Sequence, residues 1–485
     1  MKTNKTALRQ ALLASLVLGG TLAATQAHAA ATIVITNKNA AGVGFNDATP
    51  ATPVGGNTGT TLGQQRLIAF TYAANLWGAT LTSSVTINID AQFTNLACTA
   101  TTATLGSAGS TTNFRDNASF PKTGTWYPYA LANKLAGVDL KATPTAQINA
   151  NFSANLGSTG CFDGTFFYLG LDGNHGANTD FVEVLLHEMG HGLGFATSTN
   201  GSTGAFSSSF PSVWDHFLFD TVTGKAWKDM TNAERKASAI SVDKLVWNGP
   251  MVTAAAPQVL QVGTAGLGIT GSAAGATAGV HLVGEADFGA RVSNPALVGT
   301  VMPVMGTTAA DSAANGLGLA CDPITGNNAK AIKGNIALLS RGVCSFVIKA
   351  KNAQDAGAIG VLVADNAAGA PAGMSGTDPS VTIPTVRISL DDGNALLAKL
   401  STRSRSSSGI VGTLGLFGTN LAGADSLNRV KLFAPNPFQS GSSVSHFDTS
   451  ATRNLLMEPA INGDLTQKVI PPNDLTYILL QEIGW

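Results

Sequence analysis

The segment FVEVLLHEMGHGLGF, residues 181–195, constrains the fold of this chain more than any other part of its sequence. Its apolar first half favours a buried helix, and two glycines near its end can stop that helix. On a helix, His187 and His191 lie one turn apart on the same face, so both imidazoles can bind one metal ion. Glu188 is rotated by about 100° from that face and can take a proton from a metal-bound water. The segment therefore predicts a hydrolytic zinc site.

Two histidines do not complete such a site, because a catalytic zinc ion usually has three protein ligands and a water. In the pattern H-E-x-x-H-x-x-G-x-x-H, Gly194 is in place, but the last position, 197, is threonine. Glu234 is the candidate for a downstream carboxylate ligand, although with Thr231 it is better explained as the capping box of a short helix. The other histidines are His446 and three for which we expect no catalytic role: His175 in a turn, His216 in an aromatic run and His281 in the later Gly-rich region.

The composition is typical of a loop-rich and strand-rich extracellular protein. Charged residues make up only 12% of the chain, about half the usual share, and 55 of the 485 residues are glycine. The length allows two or three domains. The formal net charge is −1 and no basic run follows the N-terminus, so the charge pattern indicates neither a nucleic acid nor an anionic membrane as a partner.

The first 29 residues have the pattern of an export signal. Positive residues precede the short apolar run ALLASLVL, and the sequence AHA at 27–29 fits a cleavage site. The alternative is a membrane anchor, but this run is shorter than the ~20 apolar residues that a spanning helix needs. No later segment is long and apolar enough to span a bilayer. We therefore expect residues 1–29 to be a signal peptide and the mature protein to be secreted.

Four cysteines remain in the mature chain. An even number in an oxidising compartment favours two disulfides, for which three connectivities exist. Cys321 and Cys344 are close in sequence, so we expect them to pair, which leaves Cys98 to pair with Cys161. The alternative is a four-cysteine zinc site, but no C-x-x-C spacing supports it.

Hydrophobic periodicity predicts a mixed α/β arrangement before residue 200. Helical spacing predicts helices over 62–79 and 179–193, and strict alternation predicts a strand over 85–93. The run GTFFYLGL, residues 164–171, predicts a further strand. We expect this strand to lie along the active-site cleft and to pair with an extended substrate.

The composition changes at about residue 252, and Gly, Ala, Val and Thr then dominate to about residue 415. Within this stretch, residues 332–365 predict a strand, a helix and a strand with their own apolar core. The end of the chain predicts a final helix after two prolines. We therefore expect a catalytic domain in two parts, residues 30–250 and 416–485, with an inserted domain at 251–415.

Three short segments together resemble the leishmanolysin-like metzincins, a family of zinc metallopeptidases: HEMGHGLGF at 187–195, SHFD at 445–448 and LLMEP at 455–459. In that family a long insertion separates the second and third zinc histidines. The resemblance implies that His446 is the third zinc ligand and that Met457 is the methionine of the turn beneath the zinc ion. The N-terminal part is similar to bacterial secreted members of the group.

The inserted region resembles a protease-associated (PA) domain. The resemblance rests on SRGVCSFVIKAKNAQDAGAIGVLVADN at 340–366 and on IPTVRISLDDGNALL at 383–397, and Cys344 belongs to the pattern. It implies a β-rich, non-catalytic domain that influences substrate access or binding.

Together these observations predict an α+β fold, in which a β-rich α/β PA domain interrupts a metzincin-like zinc-peptidase domain with a mixed sheet and an active-site helix. The predicted function is that of a secreted zinc endopeptidase, with Glu188 as general base and proteins or peptides as substrates. One alternative is a non-catalytic secreted binding protein or adhesin, and another is a zinc hydrolase of a non-peptide bond. A calcium site is a further hypothesis, with the candidate ligands Asp172, Asn174 and Asp180. The sequence predicts neither the oligomeric state nor whether residues 31–60 are a removed propeptide.

Overall fold

The protein is described by a computed structural model that covers residues 30–485, apart from Asp287, Ser375, Thr377, Pro379 and Ser406. The predicted signal peptide lies outside the described residues. Within the part of the chain that is described, no helix is both long enough and apolar enough to cross a membrane.

The helices in chain order are α1 (Leu62–Thr80), α2 (Tyr129–Ala136), α3 (Phe181–Leu193), α4 (Asn232–Ser238), α5 (Pro250–Val259), α6 (Gly326–Ile332), α7 (Phe346–Asp355), α8 (Leu390–Leu400) and α9 (Thr476–Ile483). The predicted helices over 62–79 and 179–193 are confirmed as α1 and α3. The capping box is also confirmed, because the side chains of Thr231 and Glu234 each accept a hydrogen bond from the other's backbone N–H at the start of α4.

The strands in chain order are β1 (Ile33–Asn37), β2 (Ile87–Thr94), β3 (Cys98–Thr99), β4 (Thr102–Ala103), β5 (Gly106–Ser110), β6 (Asn113–Phe114), β7 (Tyr127–Pro128), β8 (Ile148–Ser153), β9 (Phe167–Tyr168), β10 (Thr179–Asp180), β11 (Leu218–Asp220), β12 (Lys225–Ala226), β13 (Leu245–Trp247), β14 (Val262–Thr270), β15 (Gly279–Leu282), β16 (Gly284–Glu285), β17 (Leu297–Pro303), β18 (Ile336–Ser340), β19 (Gly360–Ala364), β20 (Thr385–Ile388) and β21 (Val411–Leu421). Many of them are only two residues long, as expected for a chain rich in glycine and turns.

The first hydrophobic core is built by two distant parts of the chain, residues 31–260 and 421–485. Its main sheet has the strand order β1-β2-β8-β5, in which β1, β2 and β8 are parallel and β5 is an antiparallel edge strand. Strand β2 alternates between buried and half-buried residues, as its sequence pattern predicts. Helix α3 contacts α1, β5 and β8, so the active-site helix lies on this sheet beside its open edge.

The segment that follows the predicted signal peptide is an integral part of the first core. Strand β1 pairs with β2 over its whole length. Further along, the fully buried side chain of Asn57 donates hydrogen bonds to the carbonyl oxygens of Gln65 and Leu169. Removal of residues 31–60 would therefore take a strand from the sheet and leave buried polar groups without partners.

The second core lies between residues 265 and 414 and is built on a mixed sheet with the order β15-β14-β21-β17-β18-β19-β20-β16. Successive residues of its central parallel strands are buried on opposite faces, so both faces are covered. The predicted strand, helix and strand within 332–365 are confirmed as β18, α7 and β19.

The chain passes between the two cores on neighbouring antiparallel strands, β14 and β21. Helix α5 buries Val252 and Ala256 in the first core, and β21 continues past residue 415. The inserted region therefore begins and ends several residues later than the predicted boundaries at 251 and 415. The small apolar residues of α5 resemble the composition of the insertion, which is why composition alone misplaces this helix.

The predicted strand over 164–171 is wrong for most of its length. Only β9 is extended and paired, with β10 as its parallel partner. The residues around it bond to loops instead, because the N–H of Phe166 donates to the side chain of Asn178 and the N–H of Leu171 donates to the carbonyl oxygen of Gly55. An apolar run is therefore not sufficient for a strand where no second long strand lies alongside.

Candidate metal centre

Helix α3 begins and ends where its sequence predicts. The carboxylate of Asp180 caps its first turn by accepting the N–H groups of Val182 (2.7 Å) and Glu183 (3.3 Å). At the other end, Gly194 has a φ of 122°, which a side chain would rarely allow. Between these ends almost every residue is buried. The helix is therefore a fixed support for the side chains that it presents.

Close packing on two sides of α3 requires glycine. A Cβ atom at Gly190 would lie 2.7 Å from the Sδ atom of Met457, and one at Gly192 would lie 2.4 Å from the Cγ2 atom of Ile148. Met457 is itself fully buried. The segment that carries Met457 thus lies directly against helix α3.

Three histidines meet at one point beside this helix. The Nε2 atoms of His187 and His191 are 3.1 Å apart, those of His191 and His446 are 3.2 Å apart, and those of His446 and His187 are 3.3 Å apart. Among the described residues, this is the one group of three or more His, Cys, Asp or Glu side chains whose ligand atoms converge. The structure therefore brings a residue from far along the chain to the two helix histidines.

The opposite nitrogen of each ring fixes its tautomer. The Nδ1 atoms of His187, His191 and His446 lie 2.7, 2.8 and 2.8 Å from the carbonyl oxygens of Leu456, Phe195 and Ser442. A carbonyl oxygen only accepts, so each Nδ1 carries the hydrogen and each neutral ring has a lone pair on Nε2. Three acceptors that face one another cannot form hydrogen bonds with each other, and a cation bound between them would satisfy all three.

The size and charge of this site fit zinc. Tetrahedral zinc with Zn–N bonds of about 2.0–2.1 Å places its nitrogen ligands about 3.3 Å apart, close to the distances found here. Burial, together with the ring of His191, lowers the pKa of His187 to about 3, and burial lowers the pKa of His191 to about 4. The pKa of His446 is also well below its ordinary value, mainly because the ring is buried. The rings are therefore neutral, as metal ligands must be.

Two buried carboxylates hold the turn that orients His187. Asp474 accepts the N–H of Leu456 (2.7 Å), whose carbonyl oxygen accepts the ring of His187, and Glu458 accepts the N–H of Leu455 (2.8 Å). Such outer contacts fix the direction in which a ligand lone pair points.

Glu188 lies between the histidines and the edge strand β5. Its side chain is 7% exposed, and burial raises its pKa to about 8, while a hydrogen bond from the N–H of Ala108 acts in the opposite direction. A Cβ atom at Gly106 would lie 2.8 Å from the Cγ atom of Glu188, so the glycine leaves room for the carboxylate. A buried carboxylate with a raised pKa can both take up and release a proton near neutral pH.

The three histidines and Glu188 lie in a cleft of about 1190 Å³. Its walls include residues 101–108, 177–180, 199–202, 438–443 and 459–463. No Lys or Arg occurs among the described residues that line it, and its two carboxylates are Glu188 and Asp180. Asp180 already caps α3 and accepts the side chain of Gln467 (3.0 Å). The lining is therefore polar but almost uncharged.

The cleft wall is not the strand that we expected from the sequence. Strand β5, with the sequence GSAGS, lies beside Glu188, while β9 is a two-residue strand away from the sheet edge. Sequence reasoning missed β5 because it has no alternation of apolar and polar side chains. The only local signal was its position between turn-rich segments.

The remaining candidates lie apart from the three histidines. His175 lines the cleft but bonds through Nδ1 to the carbonyl oxygen of Asn178, His216 contacts Thr125, and His281 pairs with Asp392 in the second core. Glu234 is occupied by its capping box and by Lys225.

Two of the three residues of the calcium hypothesis have hydrogen-bond partners within the protein. Asp172 accepts hydrogen bonds from the hydroxyl of Tyr168 (2.6 Å) and the N–H of Asn174 (3.1 Å), whereas Asp180 caps α3. A calcium site at these residues stays a prediction.

The structure contains both expected disulfides, Cys98–Cys161 and Cys321–Cys344. The first joins the hairpin of β3 and β4 to the loop that carries Phe162, and both of these segments line the cleft. The second lies within the insertion. The four cysteines therefore do not form a common zinc site.

Comparison with known proteins identifies part of the insertion. Residues 299–396 match the family model described as the PA domain. This part of the chain is a PA domain. The match covers β17 to most of α8 and includes Cys321 and Cys344, so the second disulfide belongs to the PA domain.

Several named proteins share a short stretch of similar sequence with this chain. The minor extracellular protease Vpr of Bacillus subtilis (strain 168) is 39% identical over 71 residues, which are 15% of this chain and 8% of Vpr. The ER degradation-enhancing alpha-mannosidase-like protein 3 of Xenopus laevis is 43% identical over 86 residues, or 16% and 9% of the two chains. Leucine aminopeptidase 2 of Trichophyton equinum is 44% identical over 64 residues, or 13% of each chain.

The chain thus spans only 8–13% of the length of these relatives. Two of the three are named as peptidases and one as a mannosidase-like protein, so the shared stretch does not define one activity.

Among solved structures, the aminopeptidase from Aneurinibacillus sp. strain AM-1 has a TM-score of 0.23 at 21% identity and covers 34% of this chain and 32% of its own. BSAP, a zinc aminopeptidase from Bacillus subtilis, has a TM-score of 0.21 at 21% identity and covers 34% of each chain. TM-scores this low do not indicate a shared fold for the first core.

Proposed function

We propose that this protein is a secreted zinc-dependent endopeptidase, with a metzincin-like catalytic domain and an inserted PA domain. The observation that carries the proposal is the meeting of three Nε2 lone pairs beside the buried carboxylate of Glu188. A cation held by these three nitrogens would lie next to a proton acceptor and would be reached through the cleft. This arrangement matches the needs of metal-assisted hydrolysis.

In this mechanism His187, His191 and His446 hold the metal ion. When bound, zinc polarises the scissile carbonyl group and lowers the pKa of a water toward ~7. Glu188 takes the proton of the attacking water and later delivers it to the nitrogen of the leaving amine. Because the carboxylate is buried, it faces little competition from solvent for that proton.

Strand β5 offers a binding edge for an extended peptide. The carbonyl oxygen of Leu105 and the N–H of Thr111 bond toward β8, so alternation along the strand turns the backbone groups of Gly106 and Ala108 away from β8, where the N–H of Ala108 donates to Glu188. Both residues line the cleft. A substrate backbone can add to this edge as a further strand, which places a peptide bond beside Glu188.

The uncharged cleft favours an endopeptidase over an exopeptidase. Binding of a free amino terminus needs an available carboxylate, and binding of a free carboxyl terminus needs a cation. The described lining residues provide no Lys or Arg, Asp180 is occupied by the helix cap, and Glu188 is reserved for proton transfer. We therefore propose cleavage within chains, although one sequence relative, leucine aminopeptidase 2, is an aminopeptidase.

Secretion and the role of the insertion are also part of the proposal. The AHA pattern before residue 30, two disulfides and a low content of charged residues support export to an oxidising compartment. One relative is named an extracellular protease. Gly376 of the PA domain lines the cleft, which supports an influence of this domain on substrate access.

The alternative of a non-catalytic binding protein or adhesin is less well supported. Zinc binding alone requires the histidines but not a buried carboxylate beside them. Glu188 is kept in an environment that raises its pKa, at the cost of burying an ionisable group.

The test compares Glu188→Gln with the wild-type protein on casein and on a peptide blocked at both termini. We expect Glu188→Gln to bind zinc normally and to cleave about 10²–10⁴-fold more slowly, because only proton transfer is lost. Glu183→Gln is the matched control, since Glu183 is a buried carboxyl on the same helix that does not line the cleft. Full activity of Glu188→Gln would refute the mechanism. Cleavage restricted to peptides with a free amino terminus would indicate an aminopeptidase.

A further inference from the structure

Asp215 is a buried carboxylate near the metal centre, and the proposed mechanism does not use it. Its side chain is fully buried, and both oxygens accept hydrogen bonds. One oxygen accepts the hydroxyl of Thr197 (2.7 Å), and the other accepts the hydroxyl of Thr199 (2.7 Å) and both the N–H (2.7 Å) and the hydroxyl (2.8 Å) of Ser212. Asp215 therefore fastens the segment that follows α3 to a different part of the chain.

The segment fastened by Asp215 contacts His191 and the residue that directly precedes His446. The carbonyl oxygen of Phe195 accepts the Nδ1 hydrogen of His191 (2.8 Å). Two residues later, the N–H of Thr197 donates to the hydroxyl of Ser445 (3.2 Å), which directly precedes His446. Position 197 is also where the compact metzincin pattern would place its third histidine. The segment that carries His446 thus contacts Thr197, the position at which the compact pattern would have had a histidine.

We propose that Asp215 is a positioning residue for the metal centre, which holds residues 195–199 in the conformation that receives Ser445 and His446. The inference rests on the proposed zinc site. Asp215 does not touch the metal ion or the substrate and acts through Thr197. The hydrogen bonds of Asp215 help to give the segment after α3 a fixed contact for His446, which lies 255 positions after His191 in the sequence.

Packing alone does not fix this arrangement. The ring of Phe195 packs against the rings of Phe447 and Trp214, with centroids 4.9 and 4.7 Å apart. Such contacts hold the two segments together but have no strict direction. Thr197 donates one hydrogen bond from its hydroxyl to Asp215 and another from its N–H to Ser445, and these directional bonds set the position of the backbone beside His446.

The test measures the zinc dissociation constant, by competition with a chelator, together with the visible spectrum of the cobalt-substituted protein, kcat and KM. The variants are Asp215→Ala, Asp215→Asn and Ser445→Ala. The matched control is Asp220→Ala, because Asp220 is 2% exposed and accepts three hydrogen bonds from Val222 and Thr223 in a turn that lies outside the site.

We expect Asp215→Ala to bind zinc about 10–100-fold more weakly, to alter the cobalt spectrum and to lower kcat more than it changes KM. Asp215→Asn should recover much of the loss, because one oxygen remains for Ser212 and the hydroxyl of Thr197 can reverse its direction. Ser445→Ala should add little to Asp215→Ala, because both break the same connection. Asp220→Ala should leave zinc binding and the spectrum unchanged.

Unchanged zinc affinity and an unchanged cobalt spectrum in Asp215→Ala would overturn the positioning role, even if that variant were less stable. Equal losses in Asp220→Ala would also overturn it, because they would reflect general destabilisation. Failure of the proposed function is a separate result, recognised by a wild-type protein that binds no zinc at the three histidines.

Discussion

The two cores of this protein treat buried ionisable groups in opposite ways. In the PA domain, the carboxylate of Asp365 lies 2.8 Å from the guanidinium of Arg341 and 2.9 Å from that of Arg387. In the first core, the Nε2 lone pairs of three neutral histidines face one another. Folding alone favours the first arrangement, because buried polar groups without complementary partners are costly. The difference agrees with the proposal that the first core holds a metal ion.

The largest expected difference is between substitution of His446 in the first core and substitution of His281 in the second core. His446→Ala should lose zinc at stoichiometric concentrations and all measurable cleavage, because two protein ligands do not hold catalytic zinc firmly. His281→Ala should retain both, since this ring bonds to Asp392 and to the carbonyl oxygen of Thr277 within the insertion. Metal analysis after gel filtration checks both variants. Equal zinc content in the two variants would mean that a residue other than His446 is the third ligand.

The next effect compares the two disulfides. Replacement of Cys321 and Cys344 by serine should destabilise the PA domain by about 3 kcal/mol, the usual effect of opening a loop of this length, and leave zinc content unchanged. Replacement of Cys98 and Cys161 should reduce cleavage as well, because this bond holds segments that line the cleft. Calorimetry and peptide cleavage measure the two outcomes. Activity that falls equally in both variants would mean that the cores are not energetically distinct.

The smallest expected effect concerns Lys349 of the PA domain, a buried ionisable group that is less completely paired than Asp365. Burial lowers the pKa of Lys349 to about 8, although its ammonium group bonds to the carbonyl oxygen of Leu319. The folded pKa is below the unfolded value of about 10.4, so the unfolded chain binds more protons between these values. The contribution of Lys349 to the free energy of unfolding should therefore rise with pH from about 8 to about 10.

Lys349→Met provides the comparison for this pH dependence. The difference in free energy of unfolding between the wild type and this variant, measured in urea at pH 7.5 and 9.5, should favour the wild type more at the higher pH. A difference that is independent of pH would show that the ammonium group is solvated in the folded protein.

Local patterns predicted the parts of the fold that depend on neighbours in sequence. Helix α3, the capping box at Thr231 and the strand, helix and strand around α7 each have a periodic or capping signal within a few residues. The apolar run at 164–171 shows the limit of such signals, because its side chains alone do not create a strand without a paired neighbour.

The parts that define the site depend on contacts between distant residues. His446 could be named only through a family resemblance, since nothing near it in sequence points to the metal site. Strand β5 has no side-chain pattern and is identified by its pairing with β8. The hydrogen bonds of Asp215 join two separate segments, residues 197–199 and 212–215. Spacing along the chain does not predict such contacts between distant residues, because they form only when the whole core is packed.

The most direct test of the account is X-ray absorption at the zinc edge of the purified wild-type protein. We predict one zinc ion per chain, with three imidazole nitrogens at about 2.0–2.1 Å and one oxygen ligand. A protein without zinc after purification and zinc addition, or a zinc shell with two or fewer imidazoles, would contradict it.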